Sequence, residues 1–301
     1  MKLFMQGLRR SGTTIVYDVL SQDRRLDLYY EPFAAGKIGE LGGGSGVQET
    51  DFMVKHCQVK QAFIASYPES VDMVDLNHGA PRAPSLELQR ELPQFCRDYI
   101  RFMVERREHS VIKFTRMYRK VRELAALAPQ ARFVLLVRHP QQVVASYLYG
   151  RGQRRLGQLA SREQFFAIRD QFNAWKFREF FEGIIAQQGR PDLADAPNWI
   201  RCLVLWKYTF DNAYQDGRAA FGDAFRVLRH EDLCAHPRDT VTQLYRHMGL
   251  SVSGEAVTWA EAHVRENDKA CYQDDPRWLE AYERLDLVDS LIAAGYYGPC
   301  Q

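Results

Sequence analysis

Short apolar runs alternate with longer amphipathic stretches along the chain. Apolar runs of this length are typical of strands buried on both faces, and the stretches between them have helical periodicity. The predicted strands are residues 2–6, 26–30, 110–114, 132–137 and 225–229. The predicted helices are residues 13–20, 86–107, 120–128, 141–149, 162–188, 200–215, 238–248 and 280–294. This alternation predicts an α/β fold in which a central parallel sheet of about five strands is flanked by helices.

Two stretches fall outside the alternation. Residues 34–84 are rich in glycine and polar residues and predict a long loop. Residues 150–200 are rich in Arg, Gln and Phe and predict a helical insertion. We interpret residues 1–301 as a single domain in which the inserted segments form a variable rim.

Composition narrows the class of protein. Hydrophobic residues make up 46% of the 301 residues, which is enough to fill a core. The 40 basic and 38 acidic residues give a net charge of +2. The protein as a whole therefore has no strong electrostatic attraction to nucleic acid or to a membrane. No apolar run approaches the ~20 residues that cross a bilayer. The six cysteines contain no C-x-x-C pair, which argues against a zinc site and favours a cytoplasmic protein with reduced thiols.

A glycine-containing turn lies between the first predicted strand and the first predicted helix. It runs from Gly7 to Gly12, and the helix opens with Thr13. Free N–H groups at a helix N-terminus bind anions, although two glycines also suit a tight turn with no ligand. A nucleoside-triphosphatase loop has a lysine where Thr13 stands, and an acid for Mg²⁺ at the end of a neighbouring strand. Here Arg10 lies inside the loop and Arg138 ends that strand.

The position of Arg138 predicts a second anion site. A serine, Ser146, follows on the next predicted helix. An arginine fork together with a hydroxyl suits a second phosphate group, and a structural ion pair is the alternative for Arg138.

In order along the chain, these motifs resemble those of the sulfotransferases that use 3′-phosphoadenosine 5′-phosphosulfate (PAPS). The family's first loop, [KR]-S-G-T-T, is matched by residues 10–14. Its R-x-P element with a following serine is matched by Arg138, Pro140 and Ser146, and its E-D-L turn by residues 231–233. The resemblance implies a three-layer fold like that of P-loop NTPases, PAPS as donor, 3′-phosphoadenosine 5′-phosphate (PAP) as product, and no metal.

The resemblance also assigns donor-binding residues by position. The loop residues would hold the 5′-phosphate through their N–H and hydroxyl groups, and the R-x-P element with its serine would hold the 3′-phosphate. The residues so assigned are Arg9, Arg10, Ser11, Gly12, Thr13, Thr14, Arg138 and Ser146.

Two further donor contacts are expected nearer the C-terminus. Tyr208 is a candidate for stacking on adenine, with packing in the core as the alternative. The family's C-terminal basic loop is not recognisable, and the segment 265–269 is the candidate substitute, with Lys269 or Arg265 as the phosphate ligand.

The catalytic candidates lie at the ends of the first three strands. Charge grows on the bridging oxygen during sulfuryl transfer, and Arg10 would stabilise it as an electrostatic clamp. The histidine of the family's K-T-H pattern is absent, because residues 113–116 read Lys-Phe-Thr-Arg. The run at 30–33 resembles the branches that use a glutamate, so Glu31 is the predicted base, with an ordinary surface glutamate as the alternative. Lys113 would contact the sulfuryl group or form a buried ion pair.

The predicted function is sulfuryl transfer from PAPS to a hydroxyl or amine of a small-molecule acceptor. A small-molecule kinase, a nucleotide-binding protein, and a sulfotransferase for peptides or glycans are the alternatives. We expect residues 34–110 and 150–200 to bind the acceptor, because variable loops over a rigid sheet carry specificity. No nucleic acid or membrane partner is expected, and a homodimer is left open.

Overall fold

A parallel sheet forms the centre of the computed structural model, which describes residues 1–33, 47–68, 84–150, 161–169, 177–266 and 269–296. Within these ranges the sheet has five strands in the order β2-β3-β1-β4-β5. The strands are β1 (Lys2–Gly7), β2 (Asp27–Tyr30), β3 (Ser110–Phe114), β4 (Arg132–Val137) and β5 (Phe225–Arg229). The predicted α/β class, the parallel sheet and the five strands are therefore confirmed.

The register places the ends of the strands at one edge of the sheet. Gln6 of β1 pairs with Phe114 of β3 on one side and with Leu135 of β4 on the other. Because all five strands are parallel, their carboxyl ends lie at the same edge. Open α/β sheets bind their ligands at that edge.

Helices cover both faces of the sheet. In chain order they are α1 (Thr13–Leu20), α2 (Val47–Ser66), α3 (Pro84–Leu88), α4 (Gln94–Glu105), α5 (Val121–Leu127), α6 (Pro140–Tyr149), α7 (Arg162–Ala167), α8 (Phe177–Gln188), α9 (Asn198–Phe221), α10 (His230–Ala235), α11 (Pro237–Met248), α12 (Gly254–His263), α13 (Arg277–Arg284) and α14 (Val288–Ala293). None of the helices in the described ranges is long and apolar enough to cross a membrane.

Successive side chains of β1 point alternately into two apolar cores, one on each face of the sheet. Phe4 of β1 packs in the larger core with α4, α5, α6 and α9. Its neighbours Leu3 and Met5 point to the other face, where α1, α11 and α12 cover them. This alternation is the period of two that a strand imposes, and it produces the three layers.

The predicted long loop at 34–84 is wrong for its central part. Residues Val47–Ser66 form α2, which packs against β2 and α4. Val59 and Phe63 are buried there, and the Phe63 ring centre lies 5.1 Å from that of Tyr99. The preceding glycine run suggested a loop, whereas the apolar pair one helical turn apart stabilises a helix. Residues 34–46 and 69–83 lie outside the described ranges.

Some predicted helix boundaries are also wrong. The helix expected at 86–107 is divided into α3 and α4, and Pro93 caps the second of them. Proline has no N–H and disfavours a helical residue before it, which explains the break. The helix expected at 280–294 is divided near Asp286, whose φ of 52° is left-handed. The helix expected at 162–188 contains α7 and α8, with residues 170–176 outside the described ranges. Helix α12 was not predicted.

Candidate active site

The loop after β1 is held in its conformation by close packing. A Cβ on Gly7 would lie 2.6 Å from Thr13 Cγ2 and 2.8 Å from the Leu136 oxygen. Gly12 has a φ of 84°, and a Cβ there would lie 2.2 Å from His230 Cδ2. Arg10 also has a left-handed φ, 77°, which is unusual for a residue with a side chain. The loop therefore forms a cradle at the start of α1 that leaves no room for side chains at either glycine.

The hydroxyls of the loop occupy different environments. Ser11 Oγ is buried and has no hydrogen-bond partner among the atoms that the structure describes. It lies beside a cavity of about 10 Å³ that Gln6 and Trp206 also line, which is room for one water. Thr13 is buried, whereas Thr14 is exposed and its Oγ1 lies 3.1 Å from the Tyr30 hydroxyl. Thr14 is therefore the loop hydroxyl that faces solvent.

Three cations converge between the loop and α6. Arg10 Nε donates a hydrogen bond to Ser146 Oγ at 2.8 Å, and Lys269 Nζ donates to the Gly150 carbonyl at the end of α6. Burial, together with the charges of Arg10 and Arg138, lowers the pKa of Lys269 to about 8. The structure thus brings together Arg10, Arg138, Ser146 and Lys269, four of the predicted donor residues. Like charges held this close favour an anion between them.

Lys269 is the basic residue of segment 265–269 that reaches this cluster. The alternative, Arg265, is exposed and donates from Nη1 to the carbonyls of Glu261 and Val264 at the end of α12. Lys269 has only 9% of its surface exposed. Of the two candidates, Lys269 is therefore the one that lies in the cation cluster, and its role as a phosphate ligand stays a prediction.

The end of β4 is tied to the C-terminal part of the chain. The Arg138 carbonyl accepts a hydrogen bond from Trp206 Nε1 at 2.9 Å, and the guanidinium lies 3.4 Å from Gln142 Oε1. Glu231 of the E-D-L turn accepts from the His139 N–H at 2.9 Å and from the Tyr296 hydroxyl at 2.7 Å. These contacts hold Arg138 at the edge of the sheet where the loop lies.

His230 is a site residue that the sequence did not reveal. Its ring lies against Gly12, so it forms one wall of the loop cradle. Burial, together with the charge of Arg138, lowers its pKa to about 4, which keeps the imidazole neutral at pH 7. Its position directly before the E-D-L turn is the sequence signal that would have identified it.

Glu31 and Lys113 form an ion pair at the ends of β2 and β3. Lys113 Nζ lies 2.6 Å from Glu31 Oε1, and the Thr115 N–H donates to Oε2 at 3.2 Å. Lys113 Nζ also lies 3.9 Å from the centre of the Tyr30 ring, and only 2% of its side chain is exposed. Glu31 has a left-handed φ of 44° and 18% of its side chain exposed, so it is not an ordinary surface glutamate. The buried ion pair that was the alternative for Lys113 is present.

Arg9 interacts electrostatically with Tyr147, Arg10, Arg116 and Glu31. Burial, together with the charges of Arg10 and Arg116, lowers its pKa to about 10 against the opposing effects of Tyr147 and Glu31. Arginine keeps its charge at neutral pH even so. Arg9 therefore adds a positive charge to the surroundings of the predicted base.

Tyr208 lies in the interior of the protein, next to α5. Its hydroxyl donates to Gln187 Oε1 at 2.5 Å, and its ring meets Tyr118 edge-on at 5.9 Å. The Arg119 guanidinium lies 5.6 Å from the ring centre. These are the contacts of a packed core residue, and the predicted stacking on adenine stays a prediction.

Metal ligands form no cluster in the ranges that the structure covers. Among those residues, no group of three or more His, Cys, Asp or Glu side chains could hold a metal ion. The expectation of a reaction without metal stays a prediction.

Comparison with known proteins agrees with this geometry. The sulfotransferase family model matches residues 2–190. The crystal structure of sulfotransferase STF9 from Mycobacterium avium is 14% identical and has a TM-score of 0.55, covering 100% of this chain and 78% of that one. Sulfotransferase STF1 from Mycobacterium tuberculosis H37Rv is 19% identical, with a TM-score of 0.51 and coverage of 94% and 76%. Among curated proteins, none matches the chain in sequence.

At these sequence identities the two structures establish only a shared fold. The assignment of the chain to a family rests on the family model. Its match extends over more than half of the chain and includes the glycine loop, Glu31, Lys113, Arg138 and Ser146. The chain belongs to the sulfotransferase family.

Proposed function

We propose that this sulfotransferase takes the sulfuryl group from PAPS and transfers it to a hydroxyl or amine of a small-molecule acceptor, releasing PAP. The observation that carries the choice of donor is the convergence of Arg10, Arg138 and Lys269 beside Ser146. A phosphate on the 3′-position distinguishes PAPS from ATP, and a cluster of cations with a hydroxyl suits that group.

The residues present fit this donor. The loop cradle has no room for a Cβ at Gly12, so a phosphate can approach the backbone N–H groups of residues 10–14. Arg138, Ser146 and Lys269 would hold the 3′-phosphate. When bound, PAPS supplies the activated sulfuryl group and a phosphate leaving group.

In the proposed reaction, protein side chains stabilise developing charge and accept a proton. Arg10 cannot release its proton under these conditions, so it stabilises negative charge without acting as an acid. Glu31 accepts the proton of the acceptor group, and Lys113 with the Thr115 N–H orients its carboxylate. The ordinary alternative, a kinase on the same fold, is disfavoured because Thr13 replaces the phosphate-binding lysine.

We also propose that residues 1–301 are one domain and that residues 34–110 and 150–200 contribute the acceptor pocket. Glu87 and α3 lie in the first of these segments and close to the proposed base. A cytoplasmic location and the absence of nucleic-acid and membrane partners stay predictions.

Binding of PAP and AMP to the wild type and to Arg138→Ala tests the choice of donor. The two nucleotides differ by the 3′-phosphate, so calorimetry isolates the contribution of that group. Loss of a charge-assisted hydrogen bond should weaken the binding of PAP by roughly ten- to a hundredfold and should change the binding of AMP little. Arg132→Ala at the opposite end of β4 is the matched control and should bind PAP as the wild type does. Equal losses for PAP and AMP in Arg138→Ala would contradict the 3′-phosphate assignment.

An acceptor panel with labelled PAPS tests the reaction and its base. The wild type should transfer label without added Mg²⁺. Glu31→Gln should lower kcat by roughly two to four orders of magnitude, which is the usual contribution of a general base, and should still bind PAP. Near-normal turnover by Glu31→Gln would show that the base lies elsewhere, and a requirement for ATP and Mg²⁺ would favour the kinase.

A further inference from the structure

Tyr30, the last residue of β2, contacts both the start of α1 and the ion pair at the ends of β2 and β3. Its hydroxyl lies 3.1 Å from Thr14 Oγ1. The face of its ring lies 3.9 Å, measured at the ring centre, from Lys113 Nζ. The same Nζ lies 2.6 Å from Glu31 Oε1. One side chain therefore contacts a predicted donor-binding hydroxyl and the partner of the proposed base.

The register of the sheet explains why these side chains meet. Tyr30 of β2 pairs directly with Lys113 of β3, so the two side chains point to the same face. Helix α1 covers that face, and the ring of Tyr17 in α1 meets the Tyr30 ring edge-on at 5.1 Å. The preceding residue, Tyr29, packs in the core on the opposite face. The strand geometry therefore directs Tyr30, and not Tyr29, towards α1.

The Tyr30 ring is part of the surroundings that hold the Lys113 ammonium in place. The Lys113 side chain is 2% exposed, so the ring stands where water would otherwise solvate the charge. An ammonium is attracted to the face of an aromatic ring, and more strongly where water is excluded. The backbone is also tied here, because the Glu31 N–H donates to the Lys113 carbonyl at 2.9 Å. A shift of the Tyr30 ring would therefore shift the ammonium and, with it, the Glu31 carboxylate.

The hydrogen bond between Tyr30 and Thr14 can run in either direction in the free protein. Each hydroxyl carries one proton and can also accept a hydrogen bond. The oxygens of an ionised phosphate can only accept hydrogen bonds, so a phosphate bound at Thr14 takes the proton of that hydroxyl. Thr14 Oγ1 can then only accept from Tyr30. Binding of a phosphate at Thr14 therefore fixes the Tyr30 hydroxyl as the hydrogen-bond donor.

We propose that Tyr30 is a positioning residue that couples binding of the donor at Thr14 to the orientation of the Lys113–Glu31 pair. The inference rests on the proposed function, because Thr14 binds PAPS and Glu31 is the base only there. With PAPS bound, Tyr30 donates to Thr14, and its ring is held against the Lys113 ammonium. That ammonium in turn keeps the Glu31 carboxylate in one orientation. In the free protein the pair is restrained less, so the base is fully positioned only when the donor is present.

Substitutions of Tyr30 separate the role of its hydroxyl from that of its ring. With PAPS and the best acceptor both saturating, Tyr30→Phe should lower kcat roughly two- to tenfold and leave the acceptor KM unchanged. Tyr30→Leu removes the ring as well and should lower kcat roughly ten- to a hundredfold. Tyr29→Phe is the matched control: it removes a hydroxyl that donates to Asp27 on the other face of the same strand, and it should keep the wild-type kcat. Calorimetry with PAP checks that each variant binds with unchanged stoichiometry.

Two substitutions of Thr14 test whether the Tyr30 hydroxyl acts through this residue. Thr14→Val has already lost the hydrogen bond, so adding Tyr30→Phe should lower kcat no further. Thr14→Ser keeps the hydroxyl, so adding Tyr30→Phe should lower kcat by the same factor as in the wild type. PAPS is kept saturating throughout, because Thr14 itself is expected to contribute to donor binding.

The outcomes separate the two proposals. Transfer by the wild type with an unchanged kcat in Tyr30→Phe, or with an equal fall in Tyr29→Phe, would overturn the inference alone. So would a further fall in kcat when Tyr30→Phe is added to Thr14→Val. A loss of PAP-binding stoichiometry that matches the loss of kcat would show unfolded protein and would overturn it as well. If the wild type shows no transfer from PAPS, the proposed function fails and the inference fails with it.

Discussion

Replacing Glu87 by glutamine should stabilise the protein, and more so as the pH rises. Burial raises the pKa of Glu87 from its ordinary 4.5 to about 8. Because the folded-state pKa is the higher one, the stability associated with this group is fully present below pH 4.5. It is lost as the pH rises through about 8, since the unfolded chain ionises first. Glutamine has nearly the same shape and does not ionise.

The size of the effect follows from that shift. Each pH unit between the two pKa values changes the free energy of unfolding by about 1.4 kcal/mol. Glu87→Gln should therefore be about 3 kcal/mol more stable than the wild type near pH 7, and about 5 kcal/mol more stable above pH 8. Near pH 4 the two proteins should be almost equal. The side chain is only 10% exposed, so solvent screening does not reduce these values.

Urea denaturation at three pH values, followed by circular dichroism, measures this difference. Glu123→Gln serves as the control, because it removes a carboxylate that binds Arg97 at 2.6 Å and the Leu92 N–H at 2.8 Å. That variant should be less stable than the wild type. The reasoning is refuted if Glu87→Gln is destabilised at pH 7, or if its difference from the wild type does not change between about pH 4 and about pH 9.

The remaining predictions concern the donor site. Burial and the neighbouring arginines lower the Lys269 pKa to about 8. The affinity of the wild type for PAP should therefore fall as the pH rises through 8, by up to about tenfold per pH unit. Lys269→Met should remove this pH dependence. Calorimetry in the two proteins measures it, and an unchanged slope in the variant would exclude Lys269. Gly12→Ala places a Cβ 2.2 Å from His230 and should abolish tight PAP binding. Because the φ of Gly12 is 84°, the substitution should also lower the free energy of unfolding by about 1–2 kcal/mol through backbone strain. Gly189→Ala, with a φ of 63° and open space around it, should show the strain alone.

Local patterns in the sequence were enough to predict the sheet and the glycine-containing loop after β1. Strands buried on both faces read as continuous apolar runs, and a strand, glycine turn and helix N-terminus are neighbours in the chain. Parallel strands also bring their carboxyl ends to one edge, so the strand pattern alone predicts Glu31, Lys113 and Arg138 near the loop. The structure places them at that edge.

Helix continuity depended on features that periodicity does not show. Pro93 separates α3 from α4, and a left-handed Asp286 separates α13 from α14. Helix α2 forms in a stretch whose composition predicts a loop, because Val59 and Phe63 pack into the same apolar core as Tyr99. Packing against residues far along the chain overrides local preference in such cases.

The sequence by itself determined the fold class, the glycine-containing loop after β1, and the carboxylate and cations at the sheet edge. The tertiary structure alone decided that Lys269, rather than Arg265, joins Arg10 and Arg138, and that Glu31 is paired with Lys113. It alone revealed the buried Glu87 carboxyl beside Arg116. The physical reason is that pKa shifts, ion pairs and charge clusters depend on burial and on through-space distance, and neither can be read from the spacing of residues along a chain.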